Sequence, residues 1–331
     1  MAEGVKQASS IFSGFNVFLQ KHGALSALIL IVIGASIRYE SFLTSQNILN
    51  LLRQNSMLGI VAIGMTFVIL TKGIDLSVGS LLALGGITAA YASQFGIFWA
   101  LVIPILATTI LGSVNGVIIS KLKMEPFIVT LAMMIGVRGL VYAITDQRSV
   151  TVDPGIAEFF KFFGRGSLLW IPVPIWIFVL LIVAATFLLK YTKFGRHVYA
   201  VGGNEEASKL MGLNADRIKI LVYAISGALA GLAGIILASR LGGVAQPVSG
   251  NMWELDAIAA VVIGGTLLTG GRGSVIGTFI GVMLLGVVLN IINMEGTINS
   301  WWQPVIRGVF LIVIVLLQAK LLKNKSNLGG S

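Results

Sequence analysis

The chain has 331 residues, 56% of them hydrophobic and only 11% charged, where soluble domains carry about 25% charged residues. That composition cannot cover a water-facing surface, so the second solvent is a bilayer and the chain reads as an all-α integral membrane protein. In such a chain a net charge of +10 reports membrane orientation before nucleic acid, and no cysteine with two histidines, His22 and His197, leaves no thiolate or histidine-built metal centre.

Apolar runs near spanning length predict about ten transmembrane helices, at 23–37, 57–71, 77–93, 98–120, 127–145, 174–190, 218–239, 255–269, 275–292 and 303–319. The segment 1–22 precedes them. The first run lacks a small-residue cleavage site, so it is expected to stay as a span. Between the second and third runs, Gly73 is placed to end one helix and Asp75 to cap the next. The loop 146–173 carries Asp153 as an N-cap, Pro154 at the first helical position and Gly164 as a stop. Phe159, Phe160 and Phe163 of that short helix are expected at the membrane surface, as an aromatic anchor or a moving part.

The loop 191–217 holds a second short helix. Asn204 caps it, Glu205 and Glu206 oppose the positive end of its dipole, Lys209 sits near the negative end, and Gly212 stops it. Ala207, Leu210 and Met211 share one face. An isolated helix this short is marginal in water, so it requires a surface, either a partner's or that of the chain's own spans. A tail at 320–331 closes a chain that reads as one membrane domain, 1–331. With the N-terminus in the cytoplasm, fifteen of 23 basic residues fall inside and six outside, the bias expected of cytoplasmic loops. Both termini are then cytoplasmic. Small residues four apart, Gly112 and Gly116, Gly227 and Gly231, Gly277 and Gly281, predict close helix packing. Arg138 and Arg307 fall within spans, where each faces the protein interior or reaches an edge.

Much chemistry is missing from the sequence. No Gly-Lys dipeptide occurs, so there is no P-loop, and no His-Glu-x-x-His helix or histidine-backed membrane serine is present. Asp75 reads as a helix cap, and Asp256 beside Glu254 as a solvated outer rim, so no carboxylate is expected near the bilayer midplane, where an ion-coupled carrier would keep one.

Four stretches in order carry a resemblance. They are Ala62-Ile63-Gly64-Met65-Thr66 through Thr71 leading into Gly73-Ile74-Asp75-Leu76-Ser77-Val78-Gly79; Pro126-Phe127-Ile128-Val129-Thr130-Leu131; Phe194-Gly195-Arg196 with Gly202-Gly203-Asn204-Glu205-Glu206-Ala207; and Glu254-Leu255-Asp256-Ala257-Ile258 through Val262 with Gly264-Gly265-Thr266. Together they resemble the permease subunit of bacterial ABC sugar importers, the ribose, xylose and galactose group. The resemblance implies a type II ABC importer-like fold in the bacterial inner membrane and a second permease copy. It also implies a cytoplasmic ATPase, either a dimer or a fused tandem, that binds ATP and Mg, and a periplasmic sugar-binding protein. It implies no cofactor in this chain itself, and the expected cargo is ribose or another monosaccharide.

The resemblance assigns coupling to the ATPase to Gly203, Asn204, Glu205, Glu206, Ala207, Lys209, Leu210, Met211 and Gly212. It makes Asp153, Pro154, Phe159, Phe160 and Phe163 a candidate outer gate. Arg53, Arg148, Lys161, Arg165 and Arg240, all placed outside, are candidates to meet acidic residues of the binding protein, or lipid headgroups. Asn115, Asn290 and Asn293 line the passage or bond between helices. The alternatives are an ion-coupled secondary transporter of a small polar solute and an intramembrane enzyme or scaffold. A structured basic loop for a partner favours the permease.

Overall fold

The computed structural model describes residues 23–296 together with Trp302, Val305, Ile306, Gly308, Val309 and Ile312. The segment 1–22, the tail 320–331, most of the predicted tenth span and Arg307 lie outside the described residues. The helices are α1 (Gly23–Arg38), α2 (Ser45–Leu70), α3 (Val78–Ala92), α4 (Ile97–Lys121), α5 (Pro126–Thr145), α6 (Pro154–Arg165), α7 (Val173–Tyr191), α8 (Lys193–Gly203), α9 (Glu205–Leu210), α10 (Ala215–Arg240), α11 (Trp253–Ile263) and α12 (Val275–Glu295). Two ladders of two residues per strand interrupt the helical pattern. Val150–Thr151 (β1) pairs with Val244–Ala245 (β4), and Ser167–Leu168 (β2) with Ile171–Pro172 (β3). Seven described helices are long and apolar enough to cross a membrane: α2, α3 with its 3-10 extension, α4, α5, α7, α10 and α12. The chain is a multi-pass membrane protein.

The core is built around α10, which packs on α2, α3 and α4. The second half of α2 is buried without interruption from Asn55 to Leu70, as a helix surrounded by protein must be when all its faces are apolar. By contrast α4, α5 and α7 leave Ile110, Ile135 and Leu180 exposed, the faces that meet lipid. Because lipid offers helices no hydrophobic reason to associate, the crossings depend on small residues. A Cβ on Gly227 would lie 2.2 Å from the Thr108 carbonyl oxygen of α4, and one on Gly281 1.9 Å from the Ala260 carbonyl oxygen of α11. Gly227→Val is therefore expected to force α10 from α4 at a cost of about 3 kcal/mol or more, as overpacking a filled site does. Thermal unfolding of the purified protein checks it.

The structure redraws three predicted boundaries. The second span starts at Ser45, because the Thr44 hydroxyl accepts from Asn47 N (3.4 Å) and opens the helix early. Arg53 thus sits on α2, not in a loop. Gly73 does not end that helix. Thr71 closes it, Lys72 takes the left-handed conformation (φ 63°), and the Lys72 and Gly73 amides donate to the Ile69 and Val68 carbonyls, a Schellman ending. Gly73 is needed for space, since a Cβ there would lie 2.5 Å from the Tyr223 hydroxyl. The predicted eighth span is the largest correction. Only the eleven residues of α11 are helical, about 16 Å of a hydrocarbon core near 30 Å. Gly265, Gly270 and Gly271, all at positive φ, turn the chain back instead. Hydropathy ran on through Leu267 and Leu268 and hid the break.

Candidate functional site

At one end of the bundle α8 and α9 form a corner. The Thr192 hydroxyl opens α8 by accepting from Gly195 N (3.2 Å), and Gly202 near its end is packed so tightly that a Cβ would lie 1.7 Å from the Leu70 carbonyl oxygen. α8 was not foreseen as a helix. Asn204 Oδ1 then accepts from Ala207 N (3.0 Å), and α9 runs for six residues. Gly212 takes φ 81°, while the Gly212 and Leu213 amides donate to the Lys209 and Ser208 carbonyls, closing α9 with a second Schellman motif.

Glu205 holds this corner to the bundle. Its carboxylate accepts from Lys209 of its own helix (2.7 Å) and from Lys219 of α10 (2.5 Å). Burial pushes the Glu205 carboxyl up, but the hydrogen bonds and charges of the two lysines prevail and hold it below the usual range. The stability it contributes is present above the ordinary carboxylate pKa and disappears as the pH falls through the lowered value. Ser208 turns inward and is buried, Ala207 is half-buried, and Glu206 is exposed. Leu210 is 90% exposed and Met211 70%. Among the described residues, the chain's own spans do not cover this apolar tip. Gly203 carries the carbonyl that receives the Lys72 ammonium (3.4 Å). A cavity of about 630 Å³ opens beside the corner, between α9 and the ends of α2, α4 and α5, with Gly73 and Tyr223 in its wall.

Beyond that wall lies a polar knot. Asp75 is fully buried, and its Oδ1 accepts from Ser77 N (3.0 Å) and Ser77 Oγ (2.6 Å) while Oδ2 accepts from Ser226 Oγ of α10 (2.8 Å). Asn115 of α4 donates through Nδ2 to Ser77 Oγ (3.0 Å). The neighbouring Ile74 carbonyl receives Tyr223 of α10 (3.1 Å) and Thr130 of α5 (3.3 Å). Asp75 does not take the predicted capping position of α3, which Ser77 holds; it accepts from the Ser77 amide just ahead of the helix, from inside the bundle. Glu254 is also buried, not on a solvated rim, because the segment after β4 runs back against α3, where a Cβ on Gly79 would lie 2.3 Å from the Gly250 carbonyl oxygen. Asp256 is half-exposed. Arg138 Nη1 of α5 serves that non-helical segment, donating to the Pro247 (2.9 Å) and Ser249 (2.8 Å) carbonyls, so its side chain faces the interior.

At the opposite end, α6 follows its predicted start. Asp153 Oδ1 accepts from Gly155 N (2.8 Å) and Pro154 is the first helical residue. Its stop is at Gly166, whereas Gly164 lies within α6 and packs against the Arg240 backbone, where a Cβ would be 2.2 Å from Arg240 N. Phe160 is fully buried and its carbonyl receives Ser239 Oγ (2.6 Å), so it is not on the membrane surface. Phe159 is exposed, and Phe163 packs edge-on against Phe159 and Phe162. A helix pinned at both Phe160 and Gly164 is seated on α10.

The five basic residues do not form one group. Arg165 Nε donates to the Arg240 carbonyl (2.8 Å), and Arg53 is close enough for its charge to act on Arg240. Lys161 pairs with Glu158 (2.7 Å), and Arg148 stands exposed after α5. Of the three asparagines, Asn290 and Asn293 line a cavity of about 50 Å³ between α2 and α12 with Asn50, Gln54 and Asn55. Asn290 exchanges hydrogen bonds with Asn47 (2.9 and 3.2 Å). Asn115 is apart from them, in the knot. Tyr223 and Ser226 had no sequence signal beyond their spacing on one helix. Asp75 did, as an acid in an apolar stretch.

A bundle with seven described helices long and apolar enough to cross a membrane, and an apolar tip that the described residues leave exposed, defines a multi-pass membrane protein. Residues 47–315 match the family described as the branched-chain amino acid transport system permease component, and the chain belongs to that family. It is 47% identical over 314 residues to the ribose import permease protein of Bacillus subtilis, covering 92% of this chain and 95% of that one. Against the ribose import permease protein of Haemophilus influenzae it is 45% identical over 302 residues, 90% and 93% of the two chains. Against the xylose transport system permease protein of Escherichia coli K12 it is 34% identical over 344 aligned positions, 84% and 86%. No solved structure matches.

Proposed function

We propose that this chain is the permease subunit of an ATP-driven importer that carries ribose or a similar monosaccharide across the bacterial inner membrane. The observation that carries the reading is the near end-to-end similarity, 45–47% identical, to two permeases named for ribose import. The family description names branched-chain amino acids, but the ribose and xylose permeases match across 84–92% of this chain, and sugar is the cargo proposed. About ten spans in a type II arrangement, both termini in the cytoplasm and a paired second permease copy complete the reading. ATP hydrolysis then belongs to a separate ATPase, dimeric or a fused tandem, which binds ATP and Mg. This chain holds no cofactor and performs no catalysis. No nucleic acid is involved, and lipid surrounds the α4, α5 and α7 faces.

In that arrangement α9 is the coupling element. The residues from Gly203 to Gly212 set Leu210 and Met211 into a cleft of the ATPase. The end carrying α6 meets the sugar-binding protein, with Arg53, Arg165 and Arg240 as the basic patch that orients acidic residues of that partner. Because α6 is seated on α10, any gating by Asp153, Pro154, Phe159, Phe160 and Phe163 proceeds by α10 and α6 moving together. Asn290 and Asn293 belong to the outer part of the passage, and Asn115 to its inner packing. No observation favours an ion-coupled carrier. Both oxygens of Asp75 are already occupied by donors of the chain itself.

Copurification with the products of its own operon, followed by ATPase assays with and without the binding protein, tests the reading. An ATPase that copurifies and is stimulated by the sugar-loaded binding protein is the expected result. Changing Arg53, Arg165 and Arg240 to glutamate should then cut stimulation and flatten its salt dependence, as loss of steering charges does. Stimulation with an unchanged salt slope would place docking elsewhere.

A further inference from the structure

The non-helical break at residues 71–77 is held by four ties from three helices. α10 supplies two of the ties, Tyr223 to the Ile74 carbonyl and Ser226 to Asp75, while α4 reaches it through Asn115 and α5 through Thr130. α10 is also the helix that α9 leads into, and nothing loose separates them. Leu213 N bonds back to Ser208, Asn214 Oδ1 accepts from Arg217 N (2.9 Å), and Lys219 grips Glu205 of α9. From Lys219 to Ser226 is two helical turns, about 10 Å along the axis. A displacement of α9 therefore reaches Ser226 through one ion pair and a continuous helix. The break it meets there also forms part of the wall of the 630 Å³ cavity, at Thr71, Lys72 and Gly73.

Helix capping does not explain Asp75, because Ser77 holds the N-cap position of α3. Serine or asparagine could accept from the Ser77 amide as well, without the cost of burying a carboxylate that has no cation against it. Among the described residues no basic side chain forms an ion pair with Asp75. What an aspartate offers is two oxygens that can accept at once, where serine has a single oxygen and asparagine gives one of its two positions to a donor. One oxygen is turned to the break at Ser77 and the other to α10 at Ser226. We infer that Asp75 is the positioning residue that makes the α2–α3 break follow α10, so that movement of the coupling helix is delivered to the wall of the inner cavity. The inference rests on the coupling role proposed for α9.

The test is the number of ATP molecules hydrolysed per sugar imported, measured in proteoliposomes holding the complete complex and supplied with binding protein. In Asp75→Asn one carboxylate oxygen becomes a donor, and in Ser226→Ala one donor disappears while the rest of the knot stays. Both variants should keep hydrolysis close to that of the unaltered complex while import falls, raising the ratio roughly tenfold, within the range of ordinary coupling energies. Ser226→Thr, which keeps the hydroxyl, should restore the original ratio. Hydrolysis and import falling together, at an unchanged ratio, would mean that Asp75 only stabilises the bundle and would overturn the inference. Should Asp75→Asn not assemble, Ser226→Ala and its threonine rescue decide the matter alone. An unaltered complex that shows no ATP-dependent import would instead defeat the proposed function, so the two failures are distinguishable.

Discussion

Leu210→Arg is expected to abolish sugar import while the permease still folds and reaches the membrane. Leu210 is 90% exposed at the end of α9, so an arginine there displaces nothing in the chain's own core and stability should change by less than about 0.5 kcal/mol. The loss arises in the complex. A large apolar side chain seated in a partner's pocket is an anchor whose removal costs about 2 kcal/mol or more, and a buried guanidinium without a partner adds a desolvation penalty. ATPase binding should weaken by about 100-fold or more, which is about 2.7 kcal/mol. Glu206→Arg, on the exposed side of the same helix, should act in the same direction by reversing a charge at the contact. Pull-down of the ATPase together with import by membrane vesicles measures both effects. Normal import by either variant would remove α9 from the coupling role.

Arg138→Met carries the largest expected loss of stability. The guanidinium donates to two carbonyls, Pro247 and Ser249, in a segment with no helix of its own to satisfy them. Hydrogen bonds from charged donors are worth about 1.5–3 kcal/mol each, and carbonyls left unpaired away from water add to the loss. The buried Glu254 also loses a nearby positive charge. A loss of about 3–5 kcal/mol follows, with the segment between β4 and α11 opening first. Thermal unfolding in detergent reports the total, and hydrogen exchange at 246–252 reports the location. Arg138→Lys, a point donor on a flexible stem, should recover only part of it.

What the sequence revealed and what it hid divide along physical lines. α9 was legible because a short exposed helix must declare its ends, and Asn204, the glutamates and Gly212 do so. The start of α6 was legible for the same reason at Asp153 and Pro154. Its end was not, because Gly164 serves a tight contact with Arg240 and looks the same in sequence as a stop. Long apolar helices could be read from length alone, whereas the half-length of α11 could not, since leucines continue past the glycines that turn the chain. Asp75 and Glu254 were misplaced for a different reason. A capping position tells which backbone amide an acid meets, but not whether other helices close over it. That depends on Tyr223, Ser226 and the segment after β4, all far away in the chain.

Uptake of labelled ribose by proteoliposomes tests the central claim most directly, with this chain reconstituted alone and then together with the ATPase, ATP and the binding protein. Uptake only in the complete system, abolished when ATP is withheld, is the result expected of a permease driven from outside itself. Uptake by the chain alone, driven by an ion gradient and indifferent to ATP, would contradict the account.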